Sequence, residues 1–349
     1  MSSLNEYLEK LCCPDEAERT YAAEDIGYLN AADGVQPLLE RVGQEPSRAV
    51  RDAIFQALIR IEADASIEGS IRLLASEDPQ IRNQAVDVLQ HKGARSVPFL
   101  TAVMRDGDKH KRKLVLDVLS GIQTVGADAI YQAALSDQEP NVIITAVENL
   151  GRTRAAQFRG RIEELLLADT HPMLTGACLE ALAGIGDARS LEAIRRRFPV
   201  LAELPDFFLV SCLKALGAMG TATEFVEVAG LLPVCGQHLR PAILGALVAI
   251  YQRDAAEAHG EDLLPVLRAV VEGADPSLWR YQAVRALGFV SSRDDVYAFL
   301  LSCLSSPERL VRLGAIESLR RAQHAGLQDV LASRATTETD EELLQALAC

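Results

Sequence analysis

One short pattern returns nine times along the chain. It reads apolar residue, three residues, small or apolar residue, three residues, leucine, and one copy is Ile81, Ala85 and Leu89. Only Lys111 breaks the apolar first position. Residues four apart lie on the same face of a helix, so each copy predicts an amphipathic helix. The final leucines of successive copies are 31, 30, 31, 32, 34, 31, 40 and 32 residues apart. A period of this length, kept over nine copies, indicates stacked helical repeats.

Each copy is preceded by a second apolar segment of helical length, as in "SIEGSIRLLAS" and "SVPFLTAVM". The two segments are separated by a turn such as Asp78-Pro79, where Asp suits the helix cap and Pro suits the first helical turn. Several glycines are expected to end second helices with a positive φ. These are Gly93, Gly151, Gly186 and Gly220. No segment alternates with the period of two that a sheet requires, so the repeat unit is a helical hairpin.

The second helices resemble the short bacterial HEAT repeat, of the type found in phycobilin-lyase-like HEAT proteins, with its pattern V-R-x-x-A-x-x-A-L-G. The segments that carry the resemblance are "AVRDAIFQALIRI", "QIRNQAVDVLQHKG", "LWRYQAVRALGFV" and "LVRLGAIESLRRA". The resemblance implies an all-α fold, a right-handed α-solenoid of about ten to eleven stacked hairpins. It also implies that the second helices line the concave side.

We expect one continuous solenoid over residues 1–349. Residues 1–30 and 322–349 depart from the repeat and are predicted to be the caps that cover the terminal apolar faces. The interval of 40 residues before Leu287 predicts an irregular, longer repeat over 248–290. Its extra segment, "YQRDAAEAHGED", fits an extended helix or loop, and a hinge or binding loop is the alternative.

Charge bears on the class of partner. Lys+Arg minus Asp+Glu is 35 − 49 = −14, a charge that repels nucleic acid and attracts basic partners. The start "MSSLNEYLEK" has no secretory signal, and the apolar run "PAILGALVAIY" is about half of the ~20 residues that a membrane helix needs. The seven cysteines form no C-x-x-C pair. We therefore expect a cytoplasmic protein that binds neither nucleic acid nor membranes.

The exposed side of the second helices can be identified by counting the first residue of each copy as position 0. Positions 4, 5 and 8 are apolar, so position 6 points away from the core. Position 6 is acidic in four consecutive copies. These residues are Asp87, Asp117, Glu148 and Glu180. They predict a negative stripe that binds a basic helix or tail, whereas the alternative is ordinary surface acids paired with neighbouring arginines.

Two further features concern the same helices. Phe207 and Phe208 are adjacent, so one of them must face less completely inward, and an apolar anchor site or a buried aromatic pair would explain them.

Position 1 is Arg in six copies, including Arg82, and we expect a structural ladder that meets turn aspartates such as Asp78 and Asp106. The basic stretch 105–113 is interleaved with acids and predicts a solvated loop.

Sequence signals for chemistry are missing. HEAT-fold iron hydroxylases bind metal through His-Glu dipeptides, but none of the six histidines here precedes Glu. HEAT-fold DNA glycosylases need a basic groove with aromatic residues, whereas the single tryptophan, Trp279, occupies a core position. We predict no catalytic, cofactor-binding or metal-binding residues.

The main hypothesis is a non-enzymatic scaffold or adaptor that binds a protein along its concave face. The alternative is a phycobilin-lyase-like or chaperone-like subunit that acts on a cofactor-bearing protein. The sequence makes no prediction of the oligomeric state.

Overall fold

The computed structural model describes residues 4–122, 126–168, 171–253, 260–274, 276–288, 293–321, 324 and 326–348. The described residues form α-helices, short 3-10 turns and loops, and none of them is in a β-strand. They fall into two compact units, Met1–Thr153 and Arg154–Cys349.

The first unit contains five helical hairpins. They are α1 (Leu4–Lys10) with α2 (Glu16–Tyr28), α3 (Val35–Val42) with α4 (Arg48–Arg60), α5 (Asp64–Leu73) with α6 (Pro79–Lys92), α7 (Val97–Asp106) with α8 (Lys109–Ser120), and α9 (Asp128–Ala134) with α10 (Pro140–Arg152). The second helices pack in series: α2 on α4, α4 on α6, α6 on α8, and α8 on α10.

The second unit contains six hairpins. They are α11 (Arg159–Ala168) with α12 (Pro172–Ile185), α13 (Ala188–Arg197) with α14 (Asp206–Met219), α15 (Ala222–Ala229) with α16 (Arg240–Arg253), α17 (Gly260–Glu272) with α18 (Ser277–Leu287), α19 (Asp294–Cys303) with α20 (Arg309–Leu319), and α21 (Leu327–Ala335) with α22 (Glu341–Ala348). The helices α12, α14, α16, α18, α20 and α22 again pack in series. Eleven hairpins in the described part of the chain confirm the predicted α-solenoid fold class.

The residues that define the repeat form part of the core of each unit. The residues at positions 0, 4 and 8 of the nine copies are buried, apart from three that are half-buried. The exceptions are Lys111, Phe208 and Trp279. In α14 the neighbouring Leu209, only 1% exposed, takes the buried place expected of Phe208. Trp279, interpreted from the sequence as a core residue, is thus only partly covered.

The predicted cap at Asp78 and the positive φ at Gly93 are confirmed, whereas the positive φ predicted for three other glycines is wrong. Asp78 caps α6 by accepting a hydrogen bond from the backbone N–H of Gln80, and Gly93 ends α6 with φ +59°. Gly151, however, lies inside α10, and Gly186 and Gly220 have negative φ. At Gly186 a Cβ atom would lie 2.5 Å from the backbone carbonyl oxygen of Leu182, so lack of space at the end of α12, and not a positive φ, favours glycine there.

The predicted hinge or binding loop falls largely on residues 254–259, which lie outside the described residues. The sequence also predicts a turn at Asp275-Pro276, and Asp275 lies outside the described residues as well. The irregular repeat over 248–290, the two caps and the single continuous array therefore remain predictions. None of the described helices is both long enough and apolar enough to cross a membrane.

Candidate protein-binding surface

Three of the four predicted carboxylates lie in the first unit. Asp87, Asp117 and Glu148 occupy equivalent places on α6, α8 and α10, which pack one after another. Packed helices are about 8–10 Å apart, so a carboxylate recurs at about that spacing. Asp87 and Glu148 are exposed and Asp117 is half-buried, and none of the three has an ion-pair partner among the described residues. We call these three residues the acidic row.

The fourth predicted carboxylate has a different environment. Glu180 lies on α12 in the second unit, where it forms an ion pair with Lys214 of α14. The next charged pair at position 6 behaves in the same way, because Arg285 Nε lies 3.0 Å from Glu317 Oε2. In the second unit, therefore, the alternative interpretation of paired surface charges describes these residues.

An acid at position 6 of α2, Glu24, was not predicted from the sequence. Glu24 is half-buried and also has no ion-pair partner among the described residues. The nine-copy pattern does not include α2, because Glu18 occupies the first position there and the pattern requires an apolar residue. Ala22 and Ile26, at positions 4 and 8, are buried and keep the register.

The phenylalanine pair divides between surface and interior. Phe207 is 53% exposed, whereas Phe208 is half-buried and its ring centroid lies 6.1 Å from that of Phe198. Met173 on α12 and Val210 on α14 are also exposed, and α12 packs against α14. We call Met173, Phe207 and Val210 the apolar patch. Met173 and Val210 were not singled out from the sequence, because single exposed apolar residues carry no pattern.

Arg112, Arg280 and Arg312 at position 1 form rungs of a ladder, but with different acids from those predicted. Arg112 donates from Nε and Nη2 to Asp137 at 2.6 and 2.8 Å, and Arg312 binds Glu338 in the same way. In each case the acid lies in the turn of the next repeat. The predicted partners are wrong: Asp78 caps α6, and Asp106 accepts hydrogen bonds from Arg105.

An equivalent pair in the N-terminal repeat is almost completely buried. Arg19 donates from Nε and Nη2 to Glu45, with both distances 2.9 Å, and Arg41 also binds this carboxylate. Burial alone would raise the pKa of Glu45, but the hydrogen bonds from Arg19, Ser47 N–H and Arg41 outweigh it and lower the pKa to about 2. These ladder acids are structural and are not available to a partner.

Two buried cysteines have thiols with raised pKa values. Burial raises the pKa of the Cys212 thiol to about 12 and that of Cys303 to about 11, so both thiols stay protonated near neutral pH. No group of three or more His, Cys, Asp or Glu residues in the described ranges is arranged to hold a metal ion.

Comparisons with known proteins agree with this architecture. A family model for HEAT repeats matches residues 261–348. No curated protein matches the chain in sequence. Among solved structures, Kap121p bound to Nup53p is similar with a TM-score of 0.69 and 14% identity, covering 99% of this chain and 44% of that chain.

The Kap95:Nup1 complex is similar with a TM-score of 0.61 and 14% identity, covering 99% of this chain and 55% of that chain. The chain thus spans about half the length of these structures. Identity this low shows the fold alone, and that fold is the HEAT-repeat α-solenoid.

Proposed function

We propose that this chain is a non-enzymatic scaffold or adaptor that binds another protein along the exposed face of its second helices, the face expected to be concave. The observation that carries the proposal is the acidic row. Carboxylates without a cation partner on three adjacent helices leave a negative strip whose energy improves when a basic segment approaches. A purely structural surface would gain from pairing these acids within the fold, as Glu180 is paired.

The partner suited to this surface is a protein with a basic helix or tail. The apolar patch of the second unit would by itself offer a contact for apolar side chains, with Phe207 as the exposed anchor and the ring centroid of Phe208 5.2 Å from that of Phe207. Solved solenoids of this fold bind proteins, since Kap121p has been seen bound to Pho4p, Nup53p and Ulp1p. The net charge of −14 disfavours nucleic acid as the partner.

We extend the proposal to location and type. The short V-R-x-x-A-x-x-A-L-G pattern supports a bacterial HEAT protein of the phycobilin-lyase-like type, acting in the cytoplasm. A lyase-like or chaperone-like subunit would retain a coloured cofactor from its client, so the absorption spectrum of the purified protein tests that alternative.

The test of the scaffold is affinity capture from native lysate with charge-reversed variants. Asp87→Lys, Asp117→Lys and Glu148→Lys together reverse the acidic row. The matched control reverses three exposed acids on first helices of the same unit, with Glu9→Lys, Glu40→Lys and Glu68→Lys. We expect one protein to be captured by the wild type and by the control, and lost from the row variant. Equal capture by all three proteins would contradict the site.

A further inference from the structure

At Arg82 the rung of the arginine ladder lacks its carboxylate. Asp137, which fills the fork of Arg112, lies five residues before position 0 of the following copy, and Glu45 has the same place opposite Arg19. The residue at that place opposite Arg82 is Asp106. Its side chain is 66% exposed and accepts hydrogen bonds from Arg105 instead.

Arg82 nevertheless makes the same backbone contacts as Arg19 and Arg312 in the completed rungs. Its Nη1 donates to the carbonyl oxygens of Ser76 at 2.6 Å and Glu77 at 3.0 Å. The Nε and Nη2 groups donate to no atom of the described residues. In the completed rungs this edge of the guanidinium grips both oxygens of a carboxylate, so at Arg82 a prepared two-donor edge is free for an oxyanion.

A cleft of about 470 Å³ lies at this place, between the turn that precedes α6 and the helix α8. It is lined by Arg82, Lys111, Lys113 and His110, an unusual concentration of basic groups in a chain of net charge −14. The volume is within the range of about 300–1,000 Å³ usual for small-ligand sites. The basic stretch 105–113, expected from the sequence to be a solvated loop, supplies most of these groups from the first turns of α8.

Two acids also line the cleft, and they differ in availability. Asp108 caps α8 by accepting hydrogen bonds from the N–H groups of His110 and Lys111, and its carboxylate lies 3.6 Å from Lys111 Nζ. Asp117 follows Lys113 by one helical turn on α8, and no ion pair joins the two among the described residues. Of the lysines and arginines that line the cleft, Arg82 and Lys113 have no acid partner among the described residues.

We propose that this cleft binds a phosphate monoester group. The free edge of Arg82 presents two parallel donors that match two phosphate oxygens, and Lys113 adds a second positive charge for the remaining oxygens. A dianion gains from both cations, whereas a single carboxylate would satisfy only the Arg82 edge, as in the completed rungs. The proposal does not depend on the acidic row being a protein-binding surface.

The experiment is isothermal titration calorimetry of the full chain with O-phosphoserine, at fixed ionic strength maintained with chloride. Lys113→Ala removes a cation of the cleft, and Lys109→Ala removes the same charge from an exposed position on the same helix that does not line the cleft. We expect Lys113→Ala to weaken binding about tenfold and Lys109→Ala to leave it unchanged. Asp117→Asn, which removes a negative charge from the cleft, should strengthen binding severalfold.

Two further titrations identify the source of the phosphate and the specificity. A neutral peptide with one phosphoserine that binds at least tenfold more tightly than O-phosphoserine points to a phosphorylated protein segment. Equal affinity points to a small phosphorylated molecule, and either result supports a phosphate site. Acetate binding as tightly as O-phosphoserine, no binding of either phosphate probe, or equal losses in Lys113→Ala and Lys109→Ala would overturn the proposal.

Discussion

Acidic residues fall into two environments that differ in burial and pairing. Glu45 is 3% exposed and accepts hydrogen bonds from two arginines and a backbone N–H, and Glu338 is 8% exposed in a similar arrangement. Asp87 and Glu148 are exposed and have no ion-pair partner in the described part of the chain. Glu45 and Glu338 have a structural role, because an unpaired charge at a buried position would be costly. Asp87 and Glu148 are accessible to a partner.

Glu45→Gln should destabilise the first unit by about 3 kcal/mol at pH 7, because Arg19 would lose its buried counter-charge. The folded-state pKa of Glu45 is about 2, below its usual value of 4.5. A lowered folded pKa gives stability that is complete above the unfolded-state pKa and is lost as the pH falls towards the folded pKa. The difference between wild type and variant should therefore be constant above about pH 5 and shrink between pH 4.5 and 2.

Urea unfolding at pH 7, 5 and 3.5 measures this difference. The control is Asp52→Asn, since Asp52 is 49% exposed, pairs with Arg48 at 3.7 Å and accepts a hydrogen bond from Gln84 that an asparagine oxygen can also accept. It should change the free energy of unfolding by less than about 0.5 kcal/mol at every pH. A pH-independent difference for Glu45→Gln would show that the carboxylate charge is not what stabilises this rung.

Phe207→Ala and Phe208→Ala form a matched pair on adjacent residues. Phe207 is 53% exposed, so its truncation should cost less than about 1 kcal/mol of stability while weakening partner binding. Phe208 packs against Phe198 and should cost about 2 kcal/mol. Thermal denaturation and partner capture on both variants check the assignment. Greater destabilisation by Phe207→Ala than by Phe208→Ala would contradict it.

At the scale of the helices, small residues set how closely α2 and α4 approach. A Cβ atom on Gly27 of α2 would lie 2.7 Å from the Cα atom of Ala57 on α4, closer than atoms can come without movement of the backbone. Gly245, on the exposed side of α16, has no atom within 4 Å of such a Cβ position. The same residue type therefore has a packing role at one site and none at the other.

Gly27→Ala and Gly245→Ala should change stability in opposite directions. The first forces α2 and α4 apart and should cost about 1–3 kcal/mol. The second replaces a flexible residue inside a helix and should stabilise by up to about 1 kcal/mol. Chemical denaturation of both variants measures the two changes. Stabilisation by both substitutions would mean that the α2–α4 contact is looser than described.

The helices could be predicted from the sequence because burial repeats with a period that spacing alone shows. The register failed at Phe208 because the next residue, Leu209, is also apolar and takes the buried place, and spacing alone does not distinguish the two. The ladder partners failed for a different reason. Position 1 identifies which arginines point to the next repeat, but which acid each one meets depends on side-chain geometry in the turn. Asp106 meets its own neighbour, Arg105, and no spacing shows that.

At the scale of the whole molecule, the net charge of −14 gives a long-range attraction for basic partners, and we propose the acidic row as the place where a partner binds. Exposed charges are screened over about 8 Å at physiological ionic strength. The affinity for the captured partner should therefore fall about tenfold or more between 50 and 300 mM salt. The row variant, if it retains any binding, should show a weaker salt dependence.

Photo-crosslinking tests the central claim, that a protein partner lies on the second helices, most directly. Gln56 occupies position 6 of α4, next to α6, and is exposed and neutral, so a photoreactive amino acid there leaves the charge unchanged. Gln36, exposed on the first helix α3, is the matched control. We predict a crosslink to the captured protein from position 56 and none from position 36. A crosslink from position 36 alone would place the partner on the first helices and contradict the proposed surface.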